Sequence, residues 1–449
     1  MHIRSPLYRR TMATVLAGAL AIAPALSSGF GPTLVGANAS AAHRYSLGSK
    51  VRLTTYRYSK GPVQIRVVRI TQGAASLAVV NAASTFGHWA RPSTVAMTGY
   101  YNGSTYGPGI AATNGDFARS LMPLHQEEIG GQVMTTGFQS SPQFAVNADG
   151  SRAYIGSSHL RSTATFNATR FRVHAWNVGG PAHDQIDGYT QVGGSVQPPP
   201  GTTTPTATDP AHCAVRLVPS AQPQWSNHAK AGIERTYTVE AVGTSPCLKT
   251  PMPLGTNPDA VVLASADTGV GAVTLTTLAT CGCTVTLGWR HTGWPGVVQA
   301  VGGTPLLVDN GQNVAPTYAS GDSYLNNYNP RTAIGFNADC SDTDPLTLCR
   351  IYLVTVDGRQ SKWSVGLRMN RLGAFFVNTL HVQYALNLDG GGASEMWVHK
   401  KTSSFTPPCI TSALAGCLVG RPADGNERPS IMALVVVPGT DQRVPLSLR

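Results

Sequence analysis

SVGLRMNRLGAFFVNTLHVQYALNLDGGGAS, residues 364–394, changes its hydrophobic period halfway along, and that change decides how the rest of the chain is read. In its first half Leu372, Phe375, Phe376 and Leu380 fall at i, i+3, i+4 and i+8, which predicts a helix with one buried stripe. Val382, Tyr384, Leu386 and Leu388 then alternate with Gln383, Ala385, Asn387 and Asp389, which is strand grammar. Period two places Asn387 and Asp389 on one face, projecting where the strand ends. Gly390, Gly391 and Gly392 follow, a backbone free to take positive φ and open to close approach by a ligand. Successive amides in such a turn can form an anion-binding concavity. Alone, the glycines equally describe a tight turn, with Asp389 as its capping acid.

Outward from this stretch, short apolar runs separated by Gly/Pro turns dominate. VRLTTYRY, VQIRVVRI and ASLAVV precede residue 81, and AVRLV, DAVVLAS, GAVTLTTL, CTVTLGW, GVVQAV and IYLVTV follow residue 212. The composition agrees: charged residues are 12% of the 449, with Gly 48 and Pro 31, a balance that favours strands and turns over long helices. The expected fold class is α+β, a strand-rich single domain with a mixed twisted sheet and few helices. VGGSVQPPPGTTTPTATDP, residues 192–210, reads as a linker or a long surface loop, and a two-domain chain divided there is the alternative.

Residues 1–42 read as an export signal, in which Arg4, Arg9 and Arg10 precede the apolar run TMATVLAGALAIAPAL and ANASAA offers small residues for cleavage near Ala41 or Ala42. Residues 43–449 are then the mature domain, secreted or extracellular. The apolar run is interrupted by Pro24 and short of a span, and no later segment is long enough to cross a bilayer. Removing the signal takes three arginines and no acids from a net charge of +11, leaving 11 − 3 = +8. Acidic or phosphorylated glycans suit such a surface. Nucleic acid does not, because the cations are scattered and no aromatic ladder accompanies them. The 8 cysteines are even in number in an exported chain, so disulfides are expected, with the local pairs Cys340–Cys349 and Cys409–Cys417 the easiest to close. No two-residue cysteine spacing of a zinc knuckle occurs.

A second segment resembles the glycine stretch. GIAATNGDFARS, residues 109–120, is again a small-residue run ending in a polar turn, with Asn114, Gly115, Asp116 and Phe117 in succession. Asn-Gly is a turn signal; an acid placed next to an aromatic is less readily explained by turn chemistry. Further pieces are VVQAVGGTPLLVDNG (297–311), RTAIGFNAD (331–339), IYLVTVDGRQ (351–360) and NERPSIMALVVV (426–437). Together, and in this order over roughly residues 75–440, they resemble the phosphodiester glycosidase family. The chain departs from that family's pattern at Ala118, Ala393, Glu395 and residues 430–433, places that bear on substrate choice and make Glu395 a candidate extra carboxylate.

The resemblance implies a hydrolase acting at an anomeric bond, on a sugar-1-phosphodiester or a related cell-surface or exopolysaccharide glycan. Such cleavage builds oxocarbenium character that carboxylates stabilise, and a phosphate leaving group asks for positive charge more than for a proton. On this reading Asp389 and Asp116 are the catalytic acids. Asn114, Phe117, Asn387, Gly390, Gly391, Gly392, Ser394 and Glu395 contact substrate, and Arg331 and Arg428 neutralise phosphate. Asp357 reads as an Asp-Gly turn residue, and His183, His381 and His399 as ordinary histidines. No cofactor is expected; a divalent cation is compatible with the gathered acids and amide oxygens, although no calcium-loop spacing occurs. Serine-hydrolase, zinc-protease and Walker-loop motifs are absent. The rival from another class is a non-catalytic glycan-binding or cell-wall-associated protein on the same scaffold. The sequence is silent on oligomeric state.

Overall fold

The computed structural model describes residues 39–438 except 49, 59–60, 74, 99, 102–103, 106–108, 149, 158, 179–183, 194–211, 221–225, 229–231, 241–246, 249–254, 256, 258, 267–268, 318–321, 338–349 and 400–408. The export signal up to residue 38, most of the Pro/Thr stretch, Cys340, Cys349 and His183 therefore lie outside the described residues. The expected cleavage point falls within the edge strand Ala39–Gly48, which pairs with Val51–Tyr58.

The fold is α+β and strand-rich, as expected, and is built from four larger sheets. Its named strand pairs run antiparallel, and the one parallel contact among the described residues is the isolated bridge between Trp176 and Gly188. Two sheets matter most for the site. An eight-stranded sheet carries Gln64–Thr71, Arg350–Val356, Arg331–Phe336 and Tyr384–Asn387 as neighbours. A six-stranded sheet carries Met396–His399, Ala111–Asn114, Met432–Pro438 and Ala75–Asn81.

Side-chain alternation divides the eight-stranded sheet between two cores. Val68, Ile70, Ile334, Phe336 and Leu386 join Ala112, Trp397 and Leu434 of the six-stranded sheet in the largest apolar cluster. Ile65, Val67, Ala333, Val354 and Ala385 pack on the opposite face with Leu372, Phe375, Phe376 and Leu380. Leu372, Phe375 and Phe376 of the predicted stripe form the buried face of the helix Met369–Asn378, and Leu380 packs just past its end. Before the helix, Leu367 is held in an extended bridge to Asn329 and its carbonyl accepts from Arg331 Nε at 2.9 Å. It stops at Thr379, after which His381 turns the chain with φ 53° into the short strand Tyr384–Asn387.

One strand expectation is overturned. GAVTLTTL lies inside the helix Val270–Cys281, which covers the nine-stranded sheet. Its β-branched residues favour strands, but Ala272, Leu275 and Leu278 share one buried helical face. The threonine hydroxyls turn inward along the helix, Thr274 donating to Val270 O at 2.8 Å and Thr276 to Ala272 O at 2.9 Å. The disulfide Cys281–Cys283 sits at its end, and the expected pair Cys409–Cys417 is formed. Among the described residues no helix is long and apolar enough to cross a membrane.

Phe376 is fully buried and lies over Gly335, where an added Cβ would come within 2.8 Å of the ring. Phe376→Ala is therefore expected to cost about 3–5 kcal/mol, read as a lower denaturant midpoint at unchanged slope.

Candidate active site

The strand Ala111–Asn114 belongs to one sheet and Tyr384–Asn387 to the other, and the two end side by side. Asn114 joins them. Its Nδ2 donates to Asp389 O at 2.8 Å, while its Oδ1 accepts from Thr332 Oγ1 at 2.7 Å. Backbone bonds complete the lashing, from Asp389 N to Gly115 O at 3.0 Å and from Leu388 N to Thr332 O at 2.9 Å. Asn114 is completely buried, so its amide has no spare group for a substrate.

The clamp sets two acids near each other in unlike surroundings. Asp116 is buried and both its oxygens are engaged: Oδ1 accepts from Phe117 N at 2.7 Å and meets His125 Nδ1 at 2.6 Å, and Oδ2 accepts from His125 N at 2.8 Å. Burial pushes its carboxyl above the usual range, and the hydrogen bonds from His125 and Phe117 pull it back. Asp389 is half-buried and open to solvent on one side. Desolvation, then the charge of Asp116, push its carboxyl up to about 7, against the Gly390 amide and Arg428, which pull it down.

Beyond Asp389 the glycines form a single turn, Gly391–Ala393, in which Gly391 takes φ 66° and donates to Pro330 O at 3.0 Å. A Cβ on Gly391 would lie 3.2 Å from Arg359 Nη2, and one on Gly392 would lie 2.4 Å from Asp424 Oδ2 and 2.6 Å from Arg428 Nη1. Bare backbone here admits charged groups directly over the turn. Arg359 is exposed, and Arg428 and Asp424 form a loose, half-exposed ion pair at 3.8 Å.

The other expected residues take different places. Arg331 is fully buried, its Nε on Leu367 O and its Nη2 on Tyr324 O and Asn327 O, with the guanidinium 4.8 Å from the Tyr324 ring. It braces the loop before its strand instead of facing solvent. Asn387 is buried, its Nδ2 donating to Thr304 O, Leu388 O and the Tyr324 hydroxyl, the last at 2.7 Å. Phe117 is half-buried, edge-on to Tyr324 at 5.9 Å. Ser394 is buried.

Glu395 is buried too, accepting from Arg428 N at 3.0 Å. Desolvation, then the neighbouring Glu427, push its carboxyl up to about 9, so it stays protonated near neutrality. Glu427 in turn accepts from Ser93 N at 2.7 Å and Ser93 Oγ at 2.6 Å. Glu395 therefore fastens the segment carrying Arg428. Asp357 is buried, with Trp363 Nε1 donating to it at 2.6 Å and Arg66 at 3.6 Å, which agrees with a structural role.

Sequence reading did not single out His125, Tyr324, Arg359 or Asp424. Arg359 lies in the quoted segment VDGRQ, where its neighbourhood to Asp357 drew attention to the turn; His125 and Asp424 sit in loops and Tyr324 in the short helix Ser323–Asn326. Among the described residues, no group of three or more His, Cys, Asp or Glu is arranged to hold a metal ion.

The strand ends of this antiparallel α+β scaffold thus set one desolvated aspartate beside a bare glycine turn, with guanidinium groups over the turn. More particularly, residues 256–437 match the phosphodiester glycosidase family. The matched residues include Asp389, the glycine turn, Arg359 and Arg428, and begin after Asn114 and Asp116.

Two solved structures share the fold. A hypothetical protein from Synechocystis is 17% identical with a TM-score of 0.57, over 87% of this chain and 62% of that one. The chain thus spans less than two thirds of that protein's length. A Burkholderia pseudomallei K96243 protein described as exported is 20% identical with a TM-score of 0.53, over 84% of this chain and 74% of its own. No curated protein matches the chain.

Asn114→Ala leaves Asp389 O and the Thr332 hydroxyl without their partner in a buried setting. A loss of about 1–3 kcal/mol is expected, seen as a lower unfolding temperature than Asn387→Ala gives if the clamp is the stronger of the two anchors.

Proposed function

We propose that this protein is an exported hydrolase that cleaves the anomeric bond of a sugar-1-phosphodiester or a related cell-surface or exopolysaccharide glycan. The observation that carries this reading is Asp389: an accessible carboxyl poised near neutrality, beside a turn without side chains. The family domain supplies the reaction class. Arg-rich leader, disulfides and the +8 charge remaining after removal of three arginines from +11 fit an exported chain acting on acidic glycans.

In this reading the sugar lies against Phe117 and Tyr324 with its anomeric carbon facing Asp389. Ionised Asp389 stabilises the positive charge that develops there, as nucleophile or as base for water. The departing phosphate is a weak base, so it needs charge more than a proton, and Arg359 and Arg428 supply it over Gly391 and Gly392. Asn114 and Asn387, whose amides are committed to the protein, position the acid without touching substrate. Asp116 acts likewise, through its charge.

The glycan-binding alternative keeps one observation in its favour: Asp116 has no free oxygen, so the site offers fewer working carboxylates than the sequence promised. Hydrolysis of a panel of sugar-1-phosphodiesters and aryl glycosides by wild type and Asp389→Asn decides between them. Turnover that vanishes in the variant supports the hydrolase; binding of a glycan retained by both proteins without any turnover supports the binder.

The pH dependence has a defined sign. Because the folded state raises the Asp389 carboxyl from about 3.9 to about 7, its protonated form is favoured by folding. That contribution is complete below about pH 4 and is lost as pH rises through about 7. Activity should run the opposite way, with kcat/KM rising through pH 7 as the carboxylate forms. Asp389→Asn should accordingly abolish turnover while holding or raising the melting temperature at pH 8. A falling limb through pH 7 would instead make Asp389 the proton donor.

A further inference from the structure

We propose that His125 is a positioning residue: it holds Asp116 as a carboxylate and so fixes the negative charge that Asp389 faces. The inference rests on the reading of Asp389 as the working acid only for its catalytic consequence; the coupling itself concerns three side chains and can be tested without a substrate.

The first support is the hydrogen-bond geometry. Asp116 receives Phe117 N at 2.7 Å, His125 N at 2.8 Å and the imidazole Nδ1 at 2.6 Å. These three hydrogen bonds pull the Asp116 carboxyl down against the burial that raises it, and two of them come from His125.

The second is the close packing around the backbone and Cβ of residue 125. A Cβ on Gly302 would come within 2.2 Å of His125 Cβ, and one on Gly137 within 2.3 Å of the His125 carbonyl carbon. Gly137 also has φ +75°, a backbone that other residues rarely adopt. These two glycines come from separate parts of the chain, and both leave space for residue 125. Phe117 then meets the imidazole edge-on at 5.9 Å and 87°, which fixes its orientation.

The third is the arrangement of charge around the pair. Asp389 N donates to Gly115 O, the residue next to Asp116, so the clamp keeps the two acids adjacent. Arg428 and Tyr324 also face Asp389 electrostatically, and Glu127 faces Asp116. Burial holds Glu127 well above the usual carboxylate range, against the Asn81 amide that pulls it down. Asp116 is then the acid whose charge repels that of Asp389. Without the imidazole, a buried carboxylate short of a donor takes up a proton, and the repulsion ends.

The test is a titration of the Asp389 carboxyl by NMR in carboxyl-labelled protein, its resonance assigned by its loss in Asp389→Asn. Wild type should show a midpoint near 7. In His125→Ala the midpoint should fall by about one pH unit, a tenfold change in the ionisation constant. His125→Asn, whose amide nitrogen can reach the place of Nδ1, should return it to the wild-type value. An unchanged midpoint in folded His125→Ala, or an equal fall in His125→Asn, overturns the proposal. Should His125→Ala not fold, Asp116→Asn carries the test: Asp389 must then titrate lower, and an unmoved midpoint overturns the coupling. In any variant that turns over substrate, the activity limb should move with the NMR midpoint. A titration that shifts as expected beside a silent substrate panel would sink the hydrolase reading and leave the coupling standing.

Discussion

One buried amide holds this molecule's two main sheets in register at the place that matters. Asn114 ends a strand of the six-stranded sheet, reaches the Asp389 carbonyl on the far side and takes the Thr332 hydroxyl in return. Most of the contact between these sheets is apolar and nearly indifferent to small sliding. Hydrogen bonds are not indifferent, and three groups bonded in sequence admit one alignment. The consequence is chemical as well as mechanical. The same clamp that sets the sheets' relative position sets the separation of Asp116 from Asp389.

That separation turns packing into reactivity. Two carboxyls close together in a desolvated place cannot ionise independently, and the environment decides which of them keeps its charge. Asp116 is surrounded by donors and deeply buried; Asp389 has the Gly390 amide and an open side. The two acids are thereby held in unlike surroundings, Asp116 under several hydrogen-bond donors and Asp389 with few. Glu395 beside Glu427 shows the same physics put to another end, since there the acid that lacks donors stays neutral and serves as an anchor.

Much of the scaffold was legible from local pattern. The stripe Leu372, Phe375, Phe376 and Leu380 has the period of a helix and is buried as one, because helix and sheet each bury a face set by their own geometry. The helix Val270–Cys281 was not legible: Val, Thr and Leu alternate there nearly as in a strand, and only its packing on the nine-stranded sheet selects the helical period. At the site, Asp389 announced itself through the glycines that follow it. Arg331 and Arg428 looked alike in sequence, yet one opens a buried strand and is held on carbonyls while the other lies half-exposed in the loop before Met432–Pro438. His125 and Tyr324 carried no signal because their partners, Asp116 and Asn387, are brought to them by tertiary structure.

The glycine turn follows from the same constraint. With Asp389 fixed by the clamp, any anionic ligand must approach along the turn that leaves it, and Arg359 and Arg428 already crowd that approach. A single Cβ at residue 392 would occupy the space taken by Asp424 and Arg428, so the guanidinium would have to withdraw from the turn. The side chains missing at residues 391 and 392 are therefore what lets positive charge stand close to an acid without forming a salt bridge to it. Such a bridge would lower the Asp389 carboxyl toward its ordinary range and end its titration near neutrality. The turn thus leaves Arg428 paired with Asp424 while its charge still pulls down on the Asp389 carboxyl.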